Sequence, residues 1–188
     1  MFLNDDTEVI SPDWLDLLGG YAQLPHSGAI GAKLLYPGGN NVQHAGVLNL
    51  ESGPRHAFLN LDGDTPGYYM RNLLEYNWLA VTGACLMLDA EKFNKIGGFN
   101  ENFPVAYNDV DLCMRLCDAG FYNTVCQAVR LTHHESVSRG YDSIDSGKIK
   151  RLQKELNRLY KAHPKYFQRD PFFSPNLHPE GANFEVQQ

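Results

Sequence analysis

Apolar residues in this chain come in two spacings that alternate along its length. Trp14, Leu17 and Leu18 recur at helical spacing after Pro12, and Gly19 and Gly20 follow, which predicts a short helix ending at the glycines. The run "GAIGAKLLYPGGNNVQHAGVLNL" reads as two strands joined by the turn Pro37 to Asn41. Residues 51–69 are polar and dotted with glycine, the pattern of a long loop lying over a site. "WLAVTGACLMLD" predicts a buried strand, followed by a helix from about Ala90 that stops at Gly97 and Gly98. In "NDVDLCMRLCDAG" the residues Leu112, Cys113 and Leu116 form the apolar stripe of a second helix ended by Gly120, and "FYNTVCQAVRLTHH" is the next strand. Alternating strands and helices predict an α/β fold with a largely parallel sheet.

From Ile144 to His163 the pattern is that of an amphipathic helix. Ile149, Leu152, Leu156 and Leu159 share one face, and Lys148, Lys150, Arg151, Lys154, Arg158 and Lys161 occupy the rest. A basic helix of this kind suits a solvated face covering a domain, or an anionic membrane surface. The tail "RDPFFSPNLHPEGANFEVQQ" has little periodicity and reads as an extended strap. The division is therefore 1–140 as the α/β body and 141–188 as helix and tail.

Composition narrows the function classes. With 188 residues, 43% hydrophobic and 20% charged, the chain has enough apolar sequence for a sizeable core. A net charge of −6 argues against nucleic acid as the main partner, because neutralising phosphates needs a basic surface. The longest apolar stretch, Trp78 to Leu88, is too short to span a bilayer, and no basic segment precedes an apolar core at the start. These features predict a cytoplasmic protein, at most applied to the inner face of the membrane. Cys85, Cys113, Cys117 and Cys126 form no CxxC pair and read as buried reduced thiols. A zinc site built from Cys113, Cys117, His133 and His134 is the alternative.

Three clusters carry the candidate chemistry. "LNDDT" is a strand running into carboxylates, where ligands of doubly wound sheets bind. In "AYNDVDLCMRL", Asn108 reads as an N-cap, Asp111 as its capping-box partner, and Arg115 as the i, i+4 partner of Asp111. Asp109 has no such role, since at helical pitch it points about 200° away from Asp111. In "RLTHHESVSRG" a strand ends in His133 and His134, of which only one can face a given site.

The order and wording of these clusters resemble the second half of family 2 glycosyltransferases of the rhamnosyltransferase-like branch. The phrases that carry the likeness are "GAIGAKLLYPGG", "VQHAGV", "VTGACLMLD", "IGGFNENFPVAYNDVDLCMRL" and "HHESVSRG". The resemblance implies a partial GT-A (Rossmann-like) mixed sheet flanked by helices, and inverting transfer from a nucleotide-sugar donor to a glycan or lipid-linked acceptor. It places Asn4, Asp5 and Asp6 on the metal motif, with Asn4 where an Asp is usual. Asp6 and His133 would hold a divalent cation, Mn2+ or Mg2+. Asp109 falls on the catalytic base, with Asn108 in place of the Glu before it, and Ser138 and Arg139 fall in the loop that closes over the donor. The acceptor is placed around Trp78, Thr82, Gly83, Ala84 and Asn108, with His44 and His56 as further candidates. The resemblance also implies that the nucleotide-binding half is not in this chain, which would leave the strand ending at Leu3 at a sheet edge and favour self-association. A noncatalytic carbohydrate-binding or assembly module on the same surface is the alternative function.

Overall fold

The computed structural model of the protein describes residues 1–134 and 146–187. Its spine is a parallel pair, β3 (Ser27–Leu35) and β9 (Tyr122–His133), which runs from Ser27 opposite Tyr122 to Leu35 opposite Thr132 with register shifts between Ser27 and Ile30 and between Ala32 and Lys33. Every residue of β3 is buried, as the unbroken run in "GAIGAKLL" requires of a strand covered on both faces. Among the described residues the sheet has seven strands in the order β1-β8-β3-β9-β2, where β1 is Phe2–Leu3, β2 is Thr7–Val9 and β8 is Cys85–Met87. β4 (Val42–His44) pairs with the end of β3, and β7 (Asn77–Trp78) with the start of β9. β1 is outermost and pairs with β8, leaving Met1 and Leu3 exposed.

The fold is α/β with a mixed sheet, but the expected largely parallel sheet is not what forms. Apart from β3 and β9, the described ladders are antiparallel. A parallel pair needs a crossover of a dozen or more residues, and turns such as 36–41 are too short to provide one. The predicted loop 51–69 likewise begins inside a hairpin, β5 (Val47–Leu50) with β6 (Gly53–His56). The predicted strand Trp78–Leu88 is broken at Val81–Ala84, so that β7 joins β9 while β8 joins β3.

Two cores flank the sheet. On one face α1 (Trp14–Ala22) buries Leu18 and Ala22 against Ile30, Ala32, Leu34 and Leu131. This helix continues through Gly19 and Gly20 instead of ending there, because the apolar pair at i and i+4 outweighs the weak helix propensity of glycine. The other face carries the larger core under α3 (Asn108–Asp118) and α4 (Ser146–Ala162), with α2 (Ala90–Lys95) beside it. α2 is capped by Asp89 and ends at Gly97 and Gly98, both at positive φ, as expected. Ile149 of α4 is half exposed, outside the contact that Leu156 and Leu159 make with the core, whereas Glu155 is buried and accepts from Ala106 N at 2.7 Å.

Buried polar groups fix these layers to one another. Asn123 of β9 accepts from Ala29 N at 3.0 Å and donates to Leu79 O at 2.9 Å and Cys113 O at 3.0 Å. Lys33 is fully buried and donates from Nζ to Gly63 O at 2.9 Å and to Asn72 O, which pins the 57–76 segment to the sheet; burial lowers its pKa to about 8. Gly46 sits at φ 140° with the Trp78 ring against its Cα, where a Cβ would come within 2.1 Å of the indole. The tail is a strap, as predicted, held by Phe184 stacked on Tyr68 and packed against Phe58 and Trp78.

Asp111 differs from the sequence reading. The residue before α3 in the N-cap position is Tyr107, at φ 61°, and Asp111 caps nothing. Its buried carboxylate accepts from Arg115 Nε at 2.8 Å and His163 Nε2 at 2.8 Å, locking α3 to the end of α4. Burial pushes its pKa up, but the bonds and charges of His163 and Arg115 prevail and hold it below the usual range. Asp170, also buried, is raised to about 6 by burial, against the amides of Asn49 and Phe172 that donate to it and the charge of Arg71.

The two groups act in opposite directions on stability. Asp111 stabilises the fold above the unfolded carboxyl value of about 3.9, and that contribution is lost as pH falls below it. Asp170 binds its proton more tightly when folded, so raising pH from about 3.9 to 6 lowers stability. Chemical denaturation at stepped pH should show Asp170→Asn flattening the second window alone, whereas Asp111→Ala should cost about 3–5 kcal/mol at neutral pH by removing the buried carboxylate that Arg115 and His163 share.

Candidate functional site

The break at Val81–Ala84 builds the site. With β7 and β8 assigned to different neighbours, the turn between them lies near the start of α3, and Gly83 N donates to Asp109 Oδ2 at 2.8 Å. Asp109 Oδ1 accepts from Val110 N at 2.8 Å, so the first turn of α3 orients the carboxylate. Asn108 Oδ1 accepts from Asp109 N at 2.7 Å. Each carboxylate oxygen retains a second lone pair. A cleft of about 560 Å³ opens here and brings together Asn4, Thr82, Gly83, Ala84, Asn108, Asp109 and His133.

The opposite wall is formed where residues 4–6 cross from β1 to β2. Asn4 N donates to Ala84 O at 2.9 Å, and His134 N to Asp6 O at 2.9 Å. Thr7 faces His133 across the β2–β9 ladder. His133 Nε2 lies 3.1 Å from Asp6 Oδ1 and 3.3 Å from Asn4 Nδ2. Its other nitrogen, Nδ1, is 2.6 Å from Gln43 Oε1. Gln43 Nε2 donates to His133 O at 3.2 Å, which turns Oε1 to the ring and assigns the proton to Nδ1. His133 Nε2 then holds the ring's lone pair, accepts from Asn4 Nδ2, and lies beside Asp6 Oδ1, a buried oxygen without a hydrogen bond. An imidazole lone pair and a carboxylate oxygen side by side suit a divalent cation better than they suit each other. Among the described residues no group of three or more His, Cys, Asp or Glu is gathered for a metal, so other ligands would have to include Asn4, the bound substrate or water.

Other candidates lie elsewhere. Asp5 is exposed in the turn. Trp78 does not line the cleft: it is fully buried between Gly46, Phe58 and Phe184 and is a core residue. His44 is also fully buried, behind the turn, where its Nε2 accepts from Thr82 N at 3.4 Å; an acceptor cannot touch it directly. Burial, then the neighbouring His56 and His133, push its pKa well down and keep it neutral. Ser138 and Arg139 lie outside the described residues. The zinc alternative finds no support, since Cys113 and Cys117 direct their thiols to Val81 O and Leu79 O, both at 3.9 Å. Burial raises both thiol pKa values, that of Cys117 to about 12. Gln43, which orients His133, escaped the sequence reading although it stands in "VQHAGV"; only its place opposite the histidine gives it meaning.

These features define an α/β protein with a carboxylate-bearing cleft at the ends of its central strands. No family model matches the chain. It is 40% identical over 184 residues to the uncharacterized protein y4gI of Sinorhizobium fredii, covering 97% of this chain and 20% of that protein. It is 41% identical over 182 residues to the O-antigen biosynthesis protein RfbC of Myxococcus xanthus, covering 94% of this chain and 14% of the other. A third relative is the N-acetylglucosaminyl-diphospho-decaprenol L-rhamnosyltransferase of Mycobacterium tuberculosis, 30% identical over 135 residues, with 67% of this chain and 43% of that enzyme covered. The chain thus spans less than half the length of each.

The role of Gln43 has a direct spectroscopic test. Nitrogen-15 spectra should show His133 as the Nδ1–H tautomer in the native protein, and Gln43→Leu should shift it toward Nε2–H. An unchanged tautomer would mean that something other than Gln43 sets the ring.

Proposed function

We propose that this chain forms the catalytic part of a glycosyltransferase that moves a sugar from a nucleotide-sugar donor to a glycan or lipid-linked acceptor, with inversion. The observation that carries the reading is the Asp109 carboxylate, fixed by Gly83 N and Val110 N in a cleft that Asn4 and His133 also line, with Asp6 beside His133 at 3.1 Å. The names of the Myxococcus and Mycobacterium relatives support a glycosyltransferase and polysaccharide-building context.

Asp109 takes the proton from the acceptor hydroxyl as that oxygen attacks the anomeric carbon in line. One displacement inverts the configuration, so no second carboxylate has to form a covalent intermediate. Thr82, Gly83, Ala84 and Asn108 shape the acceptor side. Asn4 and Asp5, together with Ser138 and Arg139, are assigned to the donor. A divalent cation held by Asp6 and His133, Mn2+ or Mg2+, would neutralise charge on the leaving nucleoside diphosphate. No helix among the described residues is long and apolar enough to cross a membrane.

Sugar transfer from a panel of nucleoside diphosphate sugars, with and without Mn2+, tests the reading. Asp109→Asn should lower the rate by about 10²–10⁴-fold while the melting temperature stays near native, because the amide oxygen still accepts from one backbone N–H. Near-native turnover in that variant would remove Asp109 from the role of base. Titration of Mn2+ should show weaker binding in Asp6→Ala and in His133→Ala but native binding in Asp111→Ala; equal affinity in all three would place the metal elsewhere.

A further inference from the structure

A second cavity adjoins the cleft. It has a volume of about 220 Å³ and shares Thr82 and His133 with the cleft, so the two spaces are neighbours on either side of these residues, one position from the Gly83 amide bonded to Asp109. Its remaining wall is Leu34, Tyr36, Gln43, His56 and Leu59. That volume is below the roughly 300–1,000 Å³ of sites for drug-sized ligands and suits a single ring. The lining combines an aromatic ring, a hydroxyl, an imidazole and aliphatic surface, which is the mixture a pyranose requires, with its apolar C–H face and its rim of hydroxyls.

The polar groups there are oriented from behind. His44 Nε2 accepts from Thr82 N, so its proton lies on Nδ1, 2.9 Å from His56 Nδ1. His44 is therefore the donor of that pair, His56 Nδ1 accepts, and His56 carries its own proton on Nε2. A fully buried residue thus fixes both the Thr82 turn and the tautomer of the half-exposed imidazole at the cavity. Leu59, 46% exposed, gives the mouth an apolar lip.

We infer that the cavity bounded by Tyr36, His56, Leu59 and Thr82 is a subsite for one sugar ring of the acceptor, next to the ring whose hydroxyl Asp109 deprotonates. This assignment rests on the glycosyl-transfer reading for its place in the reaction. Its test does not depend on turnover. Saturation-transfer NMR with methyl glycosides of common hexoses and N-acetylhexosamines should show binding to the native chain. Leu59→Arg, a change at an exposed position that places a long charged side chain at the mouth, should weaken that binding at least tenfold, and His56→Ala should weaken it as well. Binding of uridine or thymidine diphosphate and of the matching nucleotide sugars should be unchanged in both variants.

Several results would overturn the subsite. They are no glycoside binding by the native chain at millimolar concentration, equal binding in Leu59→Arg, and selective loss of nucleotide-sugar binding with nucleoside diphosphate binding intact. The last would give the cavity to the donor's sugar. Glycoside binding sensitive to Leu59 in a chain that transfers no sugar would defeat the proposed function while leaving the subsite in place. Transfer with an unaltered acceptor KM in Leu59→Arg would do the reverse.

Discussion

The amide of Asn123 is the constraint on which the rest of this structure depends. It lies in the second position of β9, fully buried, and reaches three separate elements: the backbone of β3 at Ala29, the segment after β7 at Leu79, and α3 at Cys113. Buried polar groups of this kind are stabilising when every partner is present and costly when one is lost. Because Leu79 is tied to the same side chain as Cys113, the path from β7 into the Val81–Ala84 turn is set relative to α3. The approach of Gly83 N to Asp109 follows from that geometry. The Gly83–Asp109 contact in the cleft therefore rests on a hydrogen-bonding hub beneath it.

The site repeats this arrangement on a smaller scale. Groups that would meet substrate are exposed or half-buried, and each is oriented by a buried or half-buried neighbour: His133 by Gln43, the Thr82 turn by His44. Positional accuracy at a reacting centre needs such support, since a side chain free to rotate loses most of its advantage over water. Glycine contributes where backbone must come close. Gly46 lets the Trp78 ring lie against the main chain, and Gly31 leaves room for Val81, which a Cβ would approach to 2.9 Å.

Much of this was legible in the sequence, and the misses share a cause. Helices α2 and α3 and strand β9 were readable because capping residues, terminal glycines and apolar spacing are local signals. The cleft was legible because its residues come from four compact stretches, "LNDD", "VTGA", "NDVD" and "THH". Strand pairing was not, since alternation of strands and helices says nothing of direction when the connections are short turns. Trp78 was placed at the acceptor by the resemblance, and only the tertiary partners Gly46, Phe58 and Phe184 put it in the core. Lys33 sits in an apolar run and shows no local sign that its amine will close the 57–76 segment. Asp111 has the spacing of a capping box, yet its partner His163 is 52 residues away and no local rule could pair them.

Asp109 and Asp111 show how one helical turn serves two ends. Two residues apart, they diverge by about 200° around the axis of α3. Asp111 points inward, where pairing with Arg115 and His163 offsets the cost of burying its charge and binds α3 to α4. Asp109 points to the cleft, where its two hydrogen bonds come from backbone amides and not from cations. The difference matters chemically: a carboxylate neutralised by a guanidinium is a poor base, whereas one held by main-chain dipoles is positioned without a neutralising partner. Locking α3 through Asp111 keeps the helix N-terminus in place, and that in turn fixes the direction of the Asp109 lone pairs. The stabilising carboxylate is thus a condition for the placement of the one in the cleft, and the short motif "NDVD" contains both.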